Sequence, residues 1–209
     1  MTSRFLLGCG IAFALVLTGC AGYMSYNYVE APMSLAGVST SGSVAVGVHD
    51  QRSYVVSGNK GPTFVGLMRG GYGNPFDVAT TSGAPMANDL RDAIGKALRQ
   101  RGANPVAVDV AHTDNASAAR AKVLAPKARR AVLLTLREWK SDTMYRSELQ
   151  YDTTLTVFDE RGNEIASSSA RNVDQLGMTG MTPHEGMAKA VGVRLDGLFS
   201  DPKIAAALR

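Results

Sequence analysis

A single α/β domain built on a mixed β-sheet, with helices packed mainly on one face, is the fold class this sequence predicts. Three observations predict it. Between residues 43 and 130, β-branched runs alternate with helical patterns in the order strand, helix, strand, helix, the mark of α/β layering. From 131 onward three strand patterns follow one another on short turns, which implies a C-terminal antiparallel meander of three strands. The 209 residues are 45% apolar and 19% charged, as a globular chain with one core should be.

Each element has its own justification. Residues 20–42 hold Pro32 and Tyr23, Tyr26 and Tyr28 without any period, and read as a flexible tether. The domain is expected over 43–200. Val44-Ala45-Val46-Gly47-Val48 reads as a buried first strand. The connection 53–84 is glycine-rich and long, with 63–69 as an extra strand or hairpin arm, and connections of this length are often functional. Leu90, Ile94 and Leu98 fall at successive fourth positions, so 85–101 is a helix that Gly102 ends. A second strand follows at 106–110, then a short helix over 116–125 capped by Asp114 or Asn115. The meander comprises 131–139, 145–159 and 164–173. In its middle strand Leu149, Tyr151, Thr153, Leu155 and Val157 share one face, and Gln150, Asp152, Thr154 and Thr156 the other, wet one. Thr182-Pro183-His184-Glu185 is a capping box that opens the last helix, and 201–209 reads as a tail. Right-handed crossovers are expected to put the first two helices on one face, with the last helix beside them.

The leader is the most specific stretch. Arg4 precedes an apolar run over 5–17, which ends in Leu17-Thr18-Gly19-Cys20. Basic, then apolar, then small is the order of a secretory signal. The run falls short of the roughly 20 residues that cross a bilayer. Ending in cysteine, the site resembles the lipobox of bacterial lipoproteins. That resemblance implies cleavage of 1–19, a diacylglycerol on the Cys20 thiol, palmitate-type acylation and a membrane anchor. Ala21 stands where an aspartate would imply inner-membrane retention, so the family rule implies the outer membrane, facing the periplasm. An ordinary signal peptide and an uncleaved anchor are the alternatives. Cys9 and Cys20 are the only cysteines, so the mature chain would have neither disulfide nor free thiol. The net charge of +4 is spread along the chain, without the stripe or motif of a nucleic-acid binder.

Beyond the lipobox, the chain resembles the YajG-like bacterial lipoproteins. The matching features are the Val-rich strand running into Asp50-Gln51-Arg52, the long connection, and Leu98-Arg99-Gln100-Arg101-Gly102 before a strand. The resemblance implies an envelope lipoprotein and no catalytic residues.

Candidate chemistry is sparse. Asp50 and Arg52 follow the first strand, where a guanidinium fork suits an anion or a partner carboxylate. Alternatively the two pair with each other, or with a loop carbonyl, and fix the loop. The glycine loop lacks the spacing of a phosphate cradle. Its Phe64, Leu67, Met68, Tyr72 and Phe76 either fold back as a lid or form a partner surface. Ser57-Gly58-Asn59-Lys60 and Ser200-Asp201-Pro202-Lys203 both match Ser-x-x-Lys, but the companion motifs are absent. His49, His112 and His184 lack metal-ligand spacing. No cofactor or metal is expected. The function expected is a non-enzymatic, lipid-anchored envelope protein that binds a protein partner or envelope component. A structural subunit of an oligomeric envelope or secretion assembly is the alternative, and a periplasmic hydrolase the third reading.

Overall fold

β6 (Arg130–Thr143) is the spine on which eight strands join into one mixed sheet. A computed structural model describes residues 24–177 and 182–209, so Cys20 and the leader lie outside the described residues. β7 (Ser147–Asp159) lies antiparallel along the whole of one side of β6, and β8 (Glu164–Leu176) lies outside β7. The other side of β6 is shared. Its first half pairs in parallel with β2 (Gly42–Asp50), which in turn pairs with β5 (Ala103–Val108). Its second half takes β3 (Phe64–Arg69), which continues to β4 (Pro75–Thr80) and to the two-residue β1 (Ser25–Tyr26). The connection expected over 53–84 is therefore ordered: a one-turn helix α1 (Ser53–Val56) and a hairpin that widens the sheet. The strand expected at 106–110 begins earlier, and Pro105 fits because β5 is an edge.

The helices divide between the faces. α2 (Met86–Gln100) packs Met86, Leu90, Ile94 and Leu98 onto Val44, Val46 and Val48 of β2. α3 (Ala116–Leu124), capped by Asn115, packs Ala119 and Val123 onto Ala45, Ala131 and Leu133. These are alternate positions of β2, so α2 and α3 lie on opposite faces. The expectation that they share a face is corrected by strand order. β5 lies on one side of β2 and β6 on the other, so the second crossover reverses direction, and two right-handed crossovers of opposite direction put their helices on opposite faces. α4 (Pro183–Phe199), opened by the Thr182–Glu185 capping box, joins α2 through Met187, Val191 and Leu195.

The tether expected over 20–42 is, from Met24 on, part of the domain. Tyr26, Tyr28 and Leu35 are buried in the main core with Met33 and Val38. The Asp196 carboxylate of α4 accepts the backbone N–H groups of Ser34 and Leu35 at 2.9–3.0 Å. Arg101, beyond α2, donates to Ser34 O at 2.5 and 2.8 Å. The segment is a strap laid across the helices, and its lack of period reflects anchoring at irregular points. The expected tail likewise forms α5 (Pro202–Ala207), whose Ile204 is buried in the same core with Leu208.

Gly192 is where the strap lies closest to α4. A Cβ there would stand 2.2 Å from Pro32 O, whereas one at Gly197 meets nothing within 4 Å. Gly192→Ala is expected to lose about 1–3 kcal/mol by overpacking and to speed proteolysis in the strap. Gly197→Ala should gain up to about 1 kcal/mol from helix propensity. Urea melts and limited proteolysis of the two variants check the pair.

Candidate functional site

In open α/β sheets the crevice at the carboxyl ends of the strands, where crossovers reverse, is the usual ligand position. Here that point lies between β2 and β6, and it is filled. β2 ends at Asp50, Arg52 follows, and the Arg52 side chain turns inward with 0% of it exposed. Its Nε and Nη2 donate to the two carboxylate oxygens of Asp50 at 2.8 and 2.7 Å. Its Nη1 donates to Phe64 O of β3 at 2.7 Å and Trp139 O of β6 at 3.2 Å. Burial pulls the guanidinium's pKa down, but the hydrogen bonds and charge of Asp50 outweigh it, so the net shift is upward. Beside it, Tyr54 Oη lies 2.6 Å from Glu138 Oε1, and burial is the main cause of its raised pKa.

The residues expected to meet a partner therefore separate. Asp50, Arg52 and Phe64 are interior, and a partner at the surface does not reach them. Leu67 and Met68 are half-buried along β3. Tyr72 and Phe76 are exposed at the hairpin tip. Sequence reasoning missed Met144 and Tyr145, which project from the β6–β7 turn. An apolar pair in a turn between two regular strands was the available signal.

A second surface is the wet face of β6, β7 and β8. Thr135, Thr154 and Ser169 stand in register across the three strands. Arg137 donates to Asp152 Oδ1 at 3.0 Å and to Thr154 Oγ1 at 2.6 Å. A shallow groove lined by Arg137, Glu138, Gln150, Asp152, Arg171 and Asn172 runs over it.

The candidate catalytic pairs are not brought into reacting geometry. Lys60 Nζ is held by the Asp77 carboxylate at 2.5 and 2.7 Å and lies over the Phe64 ring, away from duty as a base for Ser57. At the second match, Asp201 caps α5 by accepting from Lys203 N. His49 is buried with Nε2 at 2.9 Å from Asp114 O, and His184 Nδ1 lies 2.6 Å from Ser25 O. Among the described residues no group of three His, Cys, Asp or Glu is placed to hold a metal ion. Among them, too, no helix is long and apolar enough to cross a membrane.

The architecture defines a single-domain α/β protein. No protein-family model matches the sequence. No curated protein matches it. Solved structures do resemble it. Protein XCC0632 from Xanthomonas campestris, assigned to family-model DUF330, is 10% identical, with 88% of each chain covered and a TM-score of 0.41. The hypothetical protein CT253 from Chlamydia trachomatis is 12% identical over 79% of this chain and 94% of its own, with a TM-score of 0.38. Lipoprotein GNA1162 from Neisseria meningitidis is 11% identical over 74% of this chain and 92% of its own, with a TM-score of 0.30.

Two predictions come from the buried charges. Removing one partner of a buried ion pair costs about 3–5 kcal/mol, so Arg52→Ala should lose stability on that scale. The Asp50→Leu/Arg52→Met double variant should lose less than Arg52→Ala, as a double-mutant cycle in urea would show. Asp89, buried at the start of α2, has its pKa raised by burial, against the pull of its Ser82 hydrogen bond. A raised folded-state pKa gives stability that is present below the ordinary carboxylate value and lost as pH rises through the folded one. Asp89→Asn should therefore raise Tm near neutral pH, with the gain shrinking on acidification.

Proposed function

We propose that the chain is a lipid-anchored cell-envelope protein, akin to the YajG-like lipoproteins, which binds a protein partner and is not an enzyme. One observation carries this reading: Leu17-Thr18-Gly19-Cys20 ends four residues before Met24, which is itself packed against the main core. A lipidated Cys20 would tie a folded domain closely to a bilayer, each buried methylene contributing about 0.8 kcal/mol. Ala21 favours the outer membrane, with the domain in the periplasm. For the partner, the supporting feature is β8. It is a 13-residue strand that, among the described residues, pairs only with β7, with Ile165 and Val173 exposed along it. An unpaired strand edge binds an extended segment through main-chain hydrogen bonds without any pocket. The same edge favours self-association as the second reading, that of a subunit in an oligomeric envelope assembly.

Blocking lipoprotein signal processing in cells should leave a precursor larger by the leader, and Cys20→Ser should release the protein from membranes. Mature-sized, membrane-bound protein under both conditions would sink the anchor. A photo-crosslinker at Val173 should trap a heterologous protein if β8 serves a partner, and a ladder of copies if it serves assembly. No trapped protein at Val173 or Ile165 would remove β8 from the reading.

A further inference from the structure

We propose that the tips of the β3–β4 and β6–β7 hairpins form the membrane-facing end of the domain and rest in the lipid interface beside Cys20; this rests on the anchoring reading above. Four large apolar or aromatic side chains are exposed at these two tips. Tyr72 stands entirely clear of the domain, Tyr145 is 87% exposed and Phe76 53%, and Met144 adjoins them. Rings of this kind, apolar with a polar edge, favour the level of the lipid headgroups.

Strand register puts both tips at one end. β3 and β6 run in parallel with Met68 opposite Thr143, so the turn after Arg69 and the turn after Thr143 leave the sheet side by side. The same register locates Met24. Ser25 pairs with Ala79, Val78 pairs with Gly66, and Gly66 pairs with Ser141. Met24 is therefore level with Ser141, three residues from the Met144 tip and eleven from the other end of β6 at Arg130.

Reach decides which end faces the bilayer. Three residues separate Cys20 from Met24, and the four steps between them span at most about 14 Å. The tip lies about 10 Å beyond Met24, and the Arg130 end about 36 Å in the opposite direction. A lipid on Cys20 can enter a membrane that lies against the tips. It cannot enter one that lies against the far end.

Charge agrees with that polarity. Near the tips, Arg69 is paired with Asp142 at 2.6 Å and Lys60 with Asp77, while Glu148, level with Asp142, accepts from Gln150 and Gln175, so these charges already have partners within the domain. Arg146, in the β6–β7 turn, has a stem long enough to keep its head among the phosphates. The far end carries the Asp159–Asn163 turn, with Glu160 and Arg161 exposed.

The test uses the lipidated full chain reconstituted in phosphatidylcholine vesicles with and without bromine on the acyl chains. Trp139 is the chain's one tryptophan and is buried, so its emission is a constant background. Tyr72→Trp and Tyr145→Trp should each lose roughly half or more of the added emission to brominated chains, as interface-seated rings would. Glu160→Trp should lose none. Unquenched emission from both tip variants, in protein whose mass includes the diacylglycerol, overturns the proposal; tips covered by a second copy or a protein partner would give that result. Equal quenching at all three positions overturns it too. If the mass shows no lipid on Cys20, the anchoring reading fails separately, and the tips are judged by flotation of the unlipidated chain with the same vesicles. Flotation that disappears in Tyr72→Ser/Tyr145→Ser supports them; flotation absent from the parent, or unchanged in that variant, overturns them.

Discussion

The guanidinium of Arg52 joins the three parts of this sheet that would otherwise diverge. β2 stops at Asp50, halfway along β6, and β3 takes over beside the remaining half. Such a handover leaves main-chain carbonyls inside the protein without ladder partners, and a buried unpaired carbonyl is costly. Arg52 supplies the missing donors to Phe64 O and Trp139 O while its other edge is held by Asp50. Lysine has three donors on a point charge and does not present this planar fork. The ion pair is thus best understood through geometry. Its net energy is small once both charges have lost water, but its hydrogen bonds determine where the β3–β4 hairpin leaves the spine.

The placement of that hairpin shapes the rest. Gly66 lies beside β6 where a Cβ would stand 2.6 Å from Ser141 O, so this position is confined to glycine by backbone approach. β4 then offers its outer edge to β1, which starts the strap over the helical face. The strap buries Tyr26, Tyr28 and Leu35 under α4 and beside α2. From Met24 on, a segment that reads in the sequence as a free tether is instead part of the core.

The two ends of the β6–β7–β8 meander consequently differ in kind. One carries exposed aromatic tips on the side of Met24, and the other a charged turn and the C-terminal helix α5. The long β8 edge and the hydroxyl-lined face between these ends lie along the side of the molecule. The membrane contact proposed for the tips would leave both open to the surrounding compartment.

Much of this was legible in the sequence. The repeat Leu90-Ile94-Leu98, the alternation from Leu149 to Val157 and the Thr182–Glu185 box each encode local structure in spacing alone, because one side of each element must be apolar. Ser57 and Lys60 matched Ser-x-x-Lys in spacing, and only the fold shows Lys60 turned to the Asp77 carboxylate. The strap was not legible, since its burial depends on Asp196 and Gly192, some 160 residues away. Phe64 and Tyr72 looked alike as apolar loop residues, yet one is core and the other surface. By itself the sequence determined the types of the main elements from 43 to 53 and from 85 to 199, and the lipobox-like leader, all of which follow from local composition and period. The tertiary structure alone decided the opposite faces of α2 and α3, the inward turn of Arg52 and the gathering of Tyr72 with Tyr145. Those depend on which strands lie side by side, and strand neighbours distant in the chain leave no local period to read.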